Sequence, residues 1–415
     1  MKRILLAERS LDPPGGARGL AAWMIEALKH EYRLTLLTWA RPDLEAVNRF
    51  FGTDLHDSDF ALELVRPWAA GLAAMPPRGR ITLLRHLYLV SCARRRAAGF
   101  DAVIGTNNEA DVGPRGIQYF HFPRFIDRPK FNLQWKHGAA APAIRAYQAA
   151  SRLVTGFSVE RMRRNLTMVN SDFTGRLVRE LHGIETVTVY PPAVGTFPDI
   201  PWSERKNGFV CMGRISREKR IEVVIDILAA VRQAGEDVRL HLVGTGDGSR
   251  YAASIRRLIE ANAAWVHLHE DLSRAQLVEL ITANRYGIHG MLGEPFGMAV
   301  AELVSGGCIT FVPDSGGPVE IVGNDQHLMY SSREDAVAKI LRALRETGYQ
   351  AALHRKLAAR KDMFSSQRFV IHIREVIGDF FRSRPELSDI APAVTASAQR
   401  PAWPGSSSVP RQAKM

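Results

Sequence analysis

The stretch GIHGMLGEPFGMAVAE (residues 287–302), followed at once by LVSGGCITFVPDSGGP (residues 303–318), decides how this chain is built. An apolar strand over 286–290 runs into a glycine-bearing loop. The loop enters a short helix, which stops at Gly306-Gly307, the residue type that ends helices. A second apolar strand over 308–312 follows, then the turn Asp314-Ser315-Gly316-Gly317-Pro318. Strand, helix and strand in this order make the unit of a parallel sheet covered on both faces. The same rhythm extends upstream, with strands expected at 208–212, 238–243 and 265–269 and helices at 220–233 and 274–283. It recurs in the first half, with strands at 3–7, 33–39, 102–106, 116–122, 166–170 and 186–190 and a helix at 16–30. Two such blocks, broken near Pro191-Pro192, predict an α/β chain of two Rossmann-like domains. The Pro- and charge-rich stretch 191–207 reads as the linker. The division expected is 1–195, 196–363, a late amphipathic helix over 364–384, and a Pro/Ala/Ser-rich tail over 385–415 too poor in apolar residues to fold.

Composition fits that plan. The 415 residues are 46% hydrophobic, enough for two cores. No apolar run reaches the ~18–20 residues that cross a bilayer. Met1 to Ala7 reads as a first strand, so neither a leader nor a membrane anchor is expected there. Cys92, Cys211 and Cys308 are far apart and in apolar surroundings, which suggests neither disulfides nor zinc and points to a reducing, cytoplasmic setting. The net charge is +12, and the first 200 residues carry 27 Lys and Arg against 19 Asp and Glu. That bias suits an anionic partner such as a nucleotide phosphate, a lipid phosphate or an anionic membrane face. No nucleic-acid partner is expected. Residues 78–96 join Arg78, Arg80, Arg85 and Arg94-Arg95-Arg96 to apolar Leu83, Leu84, Leu87 and Val90. They fit a peripheral contact with an anionic inner membrane face, or a helix packed on its own domain.

Four elements carry candidate chemistry. In the first, Glu294 stands on the loop before the helix and Glu302 about two turns inside it. The helix N-terminus presents free N–H groups to phosphate oxygens, and Gly297 lets the backbone approach closely. Glu302 is placed for ribose hydroxyls and Glu294 for those of a sugar; alone, the pair also fits two solvated glutamates. In the second, Gly213-Arg214 and Lys219 lie at the turn after strand 208–212, where a parallel sheet receives a diphosphate. The third is Gly15-Gly16 after the first strand, and the fourth is His121 at the end of strand 116–122. The turn Gly244-Thr245-Gly246-Asp247-Gly248 lacks the third glycine and the acid of a dinucleotide fingerprint. Asp57-Ser58-Asp59, literally D-x-D, sits in a polar loop and reads as a solvated turn rather than a metal site.

Taken together, these residues resemble glycosyltransferase family four. The wording of 287–302, with Asp314 to Pro318, Val169-Asn170-Ser171 and Val189-Tyr190-Pro191-Pro192, is most similar to the branch of mannosyltransferases that extend lipid-linked oligosaccharides. The resemblance implies a GT-B architecture, two Rossmann-like domains facing across a cleft, with the late helix crossing back to the first. It implies a retaining hexosyltransferase that uses a nucleotide sugar, the branch favouring GDP-mannose, and a glycan or lipid-linked acceptor in polysaccharide or glycolipid synthesis. No cofactor and no metal are expected. By the same resemblance, Arg214 and Lys219 hold the diphosphate, Glu302 the ribose and Glu294 the donor sugar. The backbone at Phe296, Gly297 and Met298 touches phosphate or sugar, and Gly15-Gly16 borders the diphosphate. His121, with Glu294, assists catalysis. An epimerase of similar fold and a non-catalytic binding protein are the rival readings.

Overall fold

The computed structural model describes residues 1–12, 15–65, 82–123 and 141–383. The expected tail, residues 78–81 of the basic segment, and Pro13-Pro14 lie outside the described residues. The first sheet is parallel and seven-stranded, in the order β3-β2-β1-β4-β5-β6-β7. Its strands are β1 Arg3–Ala7, β2 Arg33–Thr38, β3 Phe60–Leu64, β4 Ala102–Gly105, β5 Gly116–Phe120, β6 Leu166–Val169 and β7 Val187–Thr188. The second sheet is parallel and six-stranded, ordered β10-β9-β8-β11-β12-β13. Here β8 is Lys206–Met212, β9 Arg239–Val243, β10 Val266–His269, β11 Asn284–Ile288, β12 Ile309–Pro313 and β13 Met329–Tyr330.

Why these runs are strands shows in where alternate residues go. Ile4 and Leu6 face one core and Leu5 and Ala7 another. In the second domain Phe209 and Cys211 face one core, Val210 and Met212 the other. A strand buried on both faces is continuously apolar, which is how β1 and β8 read. Edge strand β3 instead alternates Phe60-Ala61-Leu62-Glu63-Leu64 with one face partly open.

Both sheets reverse direction of growth at a central pair, β1/β4 in the first and β8/β11 in the second. The ligand crevice of an open α/β sheet lies beyond the strand C-termini at that reversal. The loops that matter therefore follow β1, β4, β8 and β11.

The late helix, Ser366–Arg382, returns to the first domain. Phe369, Ile373, Val376 and Ile377, spaced for one helical face, lie in that domain's core. Arg374 Nε donates to Ala27 O at 2.7 Å. A second tie joins the domains where Glu320 accepts from the N–H groups of Asp172 and Phe173, at 2.8 and 2.6 Å. A second-domain carboxylate thus caps the N-terminus of the first domain's Asp172–His182 helix. Ser171 Oγ donates to Pro295 O at 2.5 Å.

Candidate functional site

After β8 the chain turns at Gly213 and Arg214 into a short 3-10 turn, Arg217–Lys219. Arg220 then takes a left-handed conformation, φ 51°, to start the Ile221–Gln233 helix. This bend aims Lys219 back across the sheet end. There the loop after β11 comes close enough that a Cβ on Gly290 would lie 2.8 Å from Lys219 O, so only glycine fits.

Lys219 Nζ forms a hydrogen-bonded ion pair with Glu294 Oε2. His289 Nε2 stands 3.4 Å from the same oxygen, and the His289 ring is buried. Burial alone would raise the Glu294 pKa, but His289 and Lys219 outweigh it and hold it down at about 2. The carboxylate is therefore ionised and fixed at neutral pH. Its loop is pinned as well: Gly293 N donates to Ser315 Oγ at 3.1 Å, and Glu294 bridges to Gly316.

Gly297, at φ 103°, then starts the Met298–Ser305 helix. Glu302 lies within it, paired to Arg274 Nη1 at 2.9 Å. Burial raises its pKa, against the pull of Arg274. Arg274 packs over the Phe197 ring at 5.6 Å and against Gly195, and its Nε and Nη2 are buried without a hydrogen-bond partner among the described residues.

Across the cleft, the first domain's Gly16–Leu28 helix begins after Gly15, and a Cβ on Gly16 would lie 3.5 Å from Met298 Cγ. Two helix N-termini thus abut, and neither has a side-chain cap among the described residues. Their free N–H groups and dipoles make a shared anion-binding end. His121 sits past β5, where its backbone N donates to Asn108 Oδ1 at 2.8 Å and its Nε2 lies 3.0 Å from Thr106 O. The contact with a carbonyl oxygen makes that nitrogen the protonated one.

The structure brings Lys219 and Glu294 into contact, and sets Gly16 against Met298. Glu302 forms a separate pair one helix turn or more away. Arg214 does not join them: its side chain is 76% exposed, with Glu218 the acid near it, at 3.6 Å. The Phe296 ring is buried against Tyr190 and Phe364, which leaves only its backbone for a ligand. Sequence reasoning missed His289 and Arg274. His289 was visible as a polar residue ending a buried strand inside the decisive stretch; Arg274, at the start of a helix, gave no signal.

The D-x-D loop is a turn before β3, with Asp57 bonded to Arg41 and Asp59 to Lys29 and to His56 N. In the basic segment, the Thr82–Arg96 helix packs Leu87, Leu89, Val90 and Ala93 into the first domain. Arg94 pairs with Asp111 at 2.5 Å and Arg96 with Glu63 at 2.6 Å. No described helix is long and apolar enough to cross a membrane. A cavity of about 780 Å³, lined by Lys206, Arg239, His241 and Glu279, opens beside the starts of β8, β9 and β11 and takes no part in this cluster.

Residues 196–361 match the family model of glycosyl transferases group 1. Among curated proteins, the chain is 27% identical over 241 residues to the human GDP-Man:Man(3)GlcNAc(2)-PP-Dol alpha-1,2-mannosyltransferase, covering 52% of this chain and 49% of the relative. It is 26% identical over 253 residues to the Dictyostelium discoideum protein of the same name, covering 52% and 48%. The chain thus spans about half the length of these relatives. Among solved structures, a sucrose-phosphate synthase from Thermosynechococcus elongatus superposes with a TM-score of 0.65 at 16% identity, over 92% of this chain and all of that one. Anabaena HepE in complex with UDP and glucose does so with a TM-score of 0.62 at 17% identity, over 91% and all. The fold is GT-B, and the resemblance to glycosyltransferase family four stands on the second domain.

Proposed function

We propose that this GT-B chain, whose second domain belongs to glycosyl transferases group 1, transfers a hexose from a nucleoside-diphosphate sugar to an acceptor hydroxyl with retention of configuration. The observation that carries the reading is the Lys219–Glu294–His289 cluster, set beside the paired N-termini of the Gly16–Leu28 and Met298–Ser305 helices. A fixed anion next to a cation and free N–H groups suits a molecule with hydroxyls at one end and phosphates at the other. Glu294 accepts from sugar hydroxyls, Lys219 and Arg214 oppose the diphosphate, and Glu302 accepts from the ribose. The names of the curated relatives favour GDP-mannose as donor and a lipid-linked glycan as acceptor.

In the transfer, the acceptor oxygen bonds to the anomeric carbon as the bond from that carbon to the β-phosphate oxygen breaks. Attack comes from the face the leaving group departs, and a leaving-phosphate oxygen takes the acceptor's proton. Negative charge grows on the diphosphate, where Lys219, Arg214 and the helix N–H groups stabilise it without a metal. His121 orients the donor sugar from the first domain.

A thermal-shift screen of nucleoside diphosphates and their sugars tests the donor, because a bound ligand stabilises by mass action. GDP and GDP-mannose are expected to raise the melting temperature of the wild type, and to raise that of Lys219→Ala by less at the same concentration. Transfer is expected to persist in EDTA. Loss of activity on chelation with recovery in Mn²⁺ would overturn the metal-free reading. Release of an epimerised donor without acceptor would overturn the transferase reading.

A further inference from the structure

We infer that Arg9, Arg18 and Arg85 form a subsite for a phosphate or diphosphate ester carried by the acceptor, so that the acceptor is itself a phosphorylated molecule. The inference rests on the transferase reading for its word acceptor, but on its own residues for the site. Arg9 lies on the loop after β1, at the reversal point of the first sheet, where Thr38 Oγ1 donates to its carbonyl oxygen. Its Nε is buried with no hydrogen-bond partner among the described residues. Arg85, from the Thr82–Arg96 helix, stacks on Trp39 at 5.3 Å, and its Nε is likewise buried and unpartnered. Arg18 stands in the first turn of the Gly16–Leu28 helix, with one Nη donating to Asp12 O at 2.5 Å.

The nearby acids are engaged elsewhere. Glu8 accepts from Thr106 Oγ1 at 2.5 Å and from Arg9 N at 2.8 Å. Asp12 accepts from Ser10 Oγ at 2.9 Å and Asp43 N at 3.0 Å. None of the three guanidinium groups forms an ion pair with a described carboxylate. Burial depresses the Arg9 pKa; Glu8 opposes that, and the charges of Arg18 and Arg85 add to it. Buried guanidinium N–H groups left unpaired are costly. An anion would satisfy two such Nε–H groups beside a third cation, and the guanidinium fork is shaped for phosphate. With Lys219 and Arg214 of the other domain proposed for the donor's phosphates, and Arg18 standing at the helix N-terminus that faces them, Arg9 and Arg85 are the groups assigned to the acceptor's phosphate.

The test titrates the wild type, Arg9→Gln and Arg85→Gln with glucose 6-phosphate and with geranyl diphosphate, each beside its neutral partner, glucose or geraniol. Every titration runs with and without saturating GDP. At least one phosphorylated probe should bind the wild type about tenfold or more tightly than its neutral partner. Preference for glucose 6-phosphate marks a sugar-phosphate acceptor, and preference for geranyl diphosphate a lipid-carrier diphosphate. Each variant should lose most of that margin, with GDP affinity unchanged within about twofold. Arg9→Gln should melt no lower than the wild type, since it removes an unpaired buried charge; a purely structural arginine would melt lower. Arg85→Lys, which keeps the charge, should retain part of the affinity. Probes that bind no better than their neutral partners, or equally in the variants, overturn the subsite. So does a parallel loss of GDP affinity, which would assign the arginines to the donor. If the wild type takes the phosphorylated probes but no nucleoside diphosphate, the subsite stands and the transferase reading fails.

Discussion

The two walls of the cleft handle charge in opposite ways. On the second domain the two acids of the site each form an ion pair: Glu294 with Lys219, beside His289, and Glu302 with Arg274. On the first, Arg9 and Arg85 form no ion pair with a described carboxylate, and their Nε atoms are buried with no hydrogen-bond partner among the described residues. A paired wall is rigid before anything binds, and its groups exchange one partner for another when a ligand arrives. An unpaired wall is a standing cost that only a ligand relieves. The contrast predicts that mutations on the two walls change stability with opposite sign.

Lys219→Ala should show the largest effect. It removes a charged contact to the diphosphate, about 1.5–3 kcal/mol or roughly ten- to hundredfold in GDP affinity. It also leaves Glu294 without its main cation, so the melting temperature should fall. Adding Glu294→Gln should recover much of that stability and none of the affinity, a coupling measurable by a double-mutant cycle. Unchanged calorimetric affinity for GDP in Lys219→Ala would remove this residue from the donor site and dissolve the contrast.

Arg274→Ala comes next. It leaves the Glu302 carboxylate buried without its hydrogen-bond donor, a loss of about 1–3 kcal/mol in urea unfolding at pH 7. Arg9→Gln, by contrast, should be neutral or stabilising. If both variants lost stability equally, the walls would not differ in the way proposed.

How much of this was legible beforehand follows the same division. On the paired wall Glu294 and Glu302 share one loop and helix and stood out by spacing, while Lys219 stood out by its place at the turn after β8. His289 and Arg274 did not, because a strand end and a helix start look alike whether or not a carboxylate faces them. The unpaired wall joins Arg9, Arg18 and Arg85 from three separate elements, and only the packed sheet shows that they meet. Strand β3 escaped notice for a related reason: an edge strand with an acidic residue reads as loop. The sequence did carry Ser171 and Tyr190 as motif residues without saying why. In the structure both meet the second domain, through Pro295 O and Glu320.

Acid sharpens the contrast within the paired wall. The Glu294 pKa is lowered from its ordinary 4.5 to about 2 in the folded chain, burial being outweighed by His289 and Lys219. Its contribution to stability is whole above about pH 4.5 and is lost as pH falls toward about 2. Glu302 is shifted upward by burial, so protonation favours the folded chain, and its penalty is relieved as pH falls through the raised value toward 4.5. Urea midpoints between pH 3 and 7 should therefore fall less steeply with acid in Glu294→Gln than in the wild type, and more steeply in Glu302→Gln. Identical pH profiles for the two variants would contradict the opposite shifts.

The smallest effect is expected at the back of the unpaired wall, where the Thr82–Arg96 helix carries Arg85 at one end and Arg94-Arg95-Arg96 at the other. A basic amphipathic helix binds anionic vesicles when its apolar face and its cations are both available, each cation adding about 1 kcal/mol near the surface. Here Leu87, Leu89 and Val90 are buried in the domain. Arg94 and Arg96 hold Asp111 and Glu63, and Arg95 lies over the Tyr88 ring at 5.9 Å. Arg94→Gln should then lower the melting temperature, because Asp111 is fully buried and keeps, among the described residues, only Arg161 as a cation, at 2.7 Å. Arg95→Gln should change the fraction sedimenting with anionic vesicles at low salt by less than about twofold. A larger drop, one that vanishes at high salt and with neutral lipid, would show that this helix faces a membrane and that the first domain's charge serves two anionic partners rather than one.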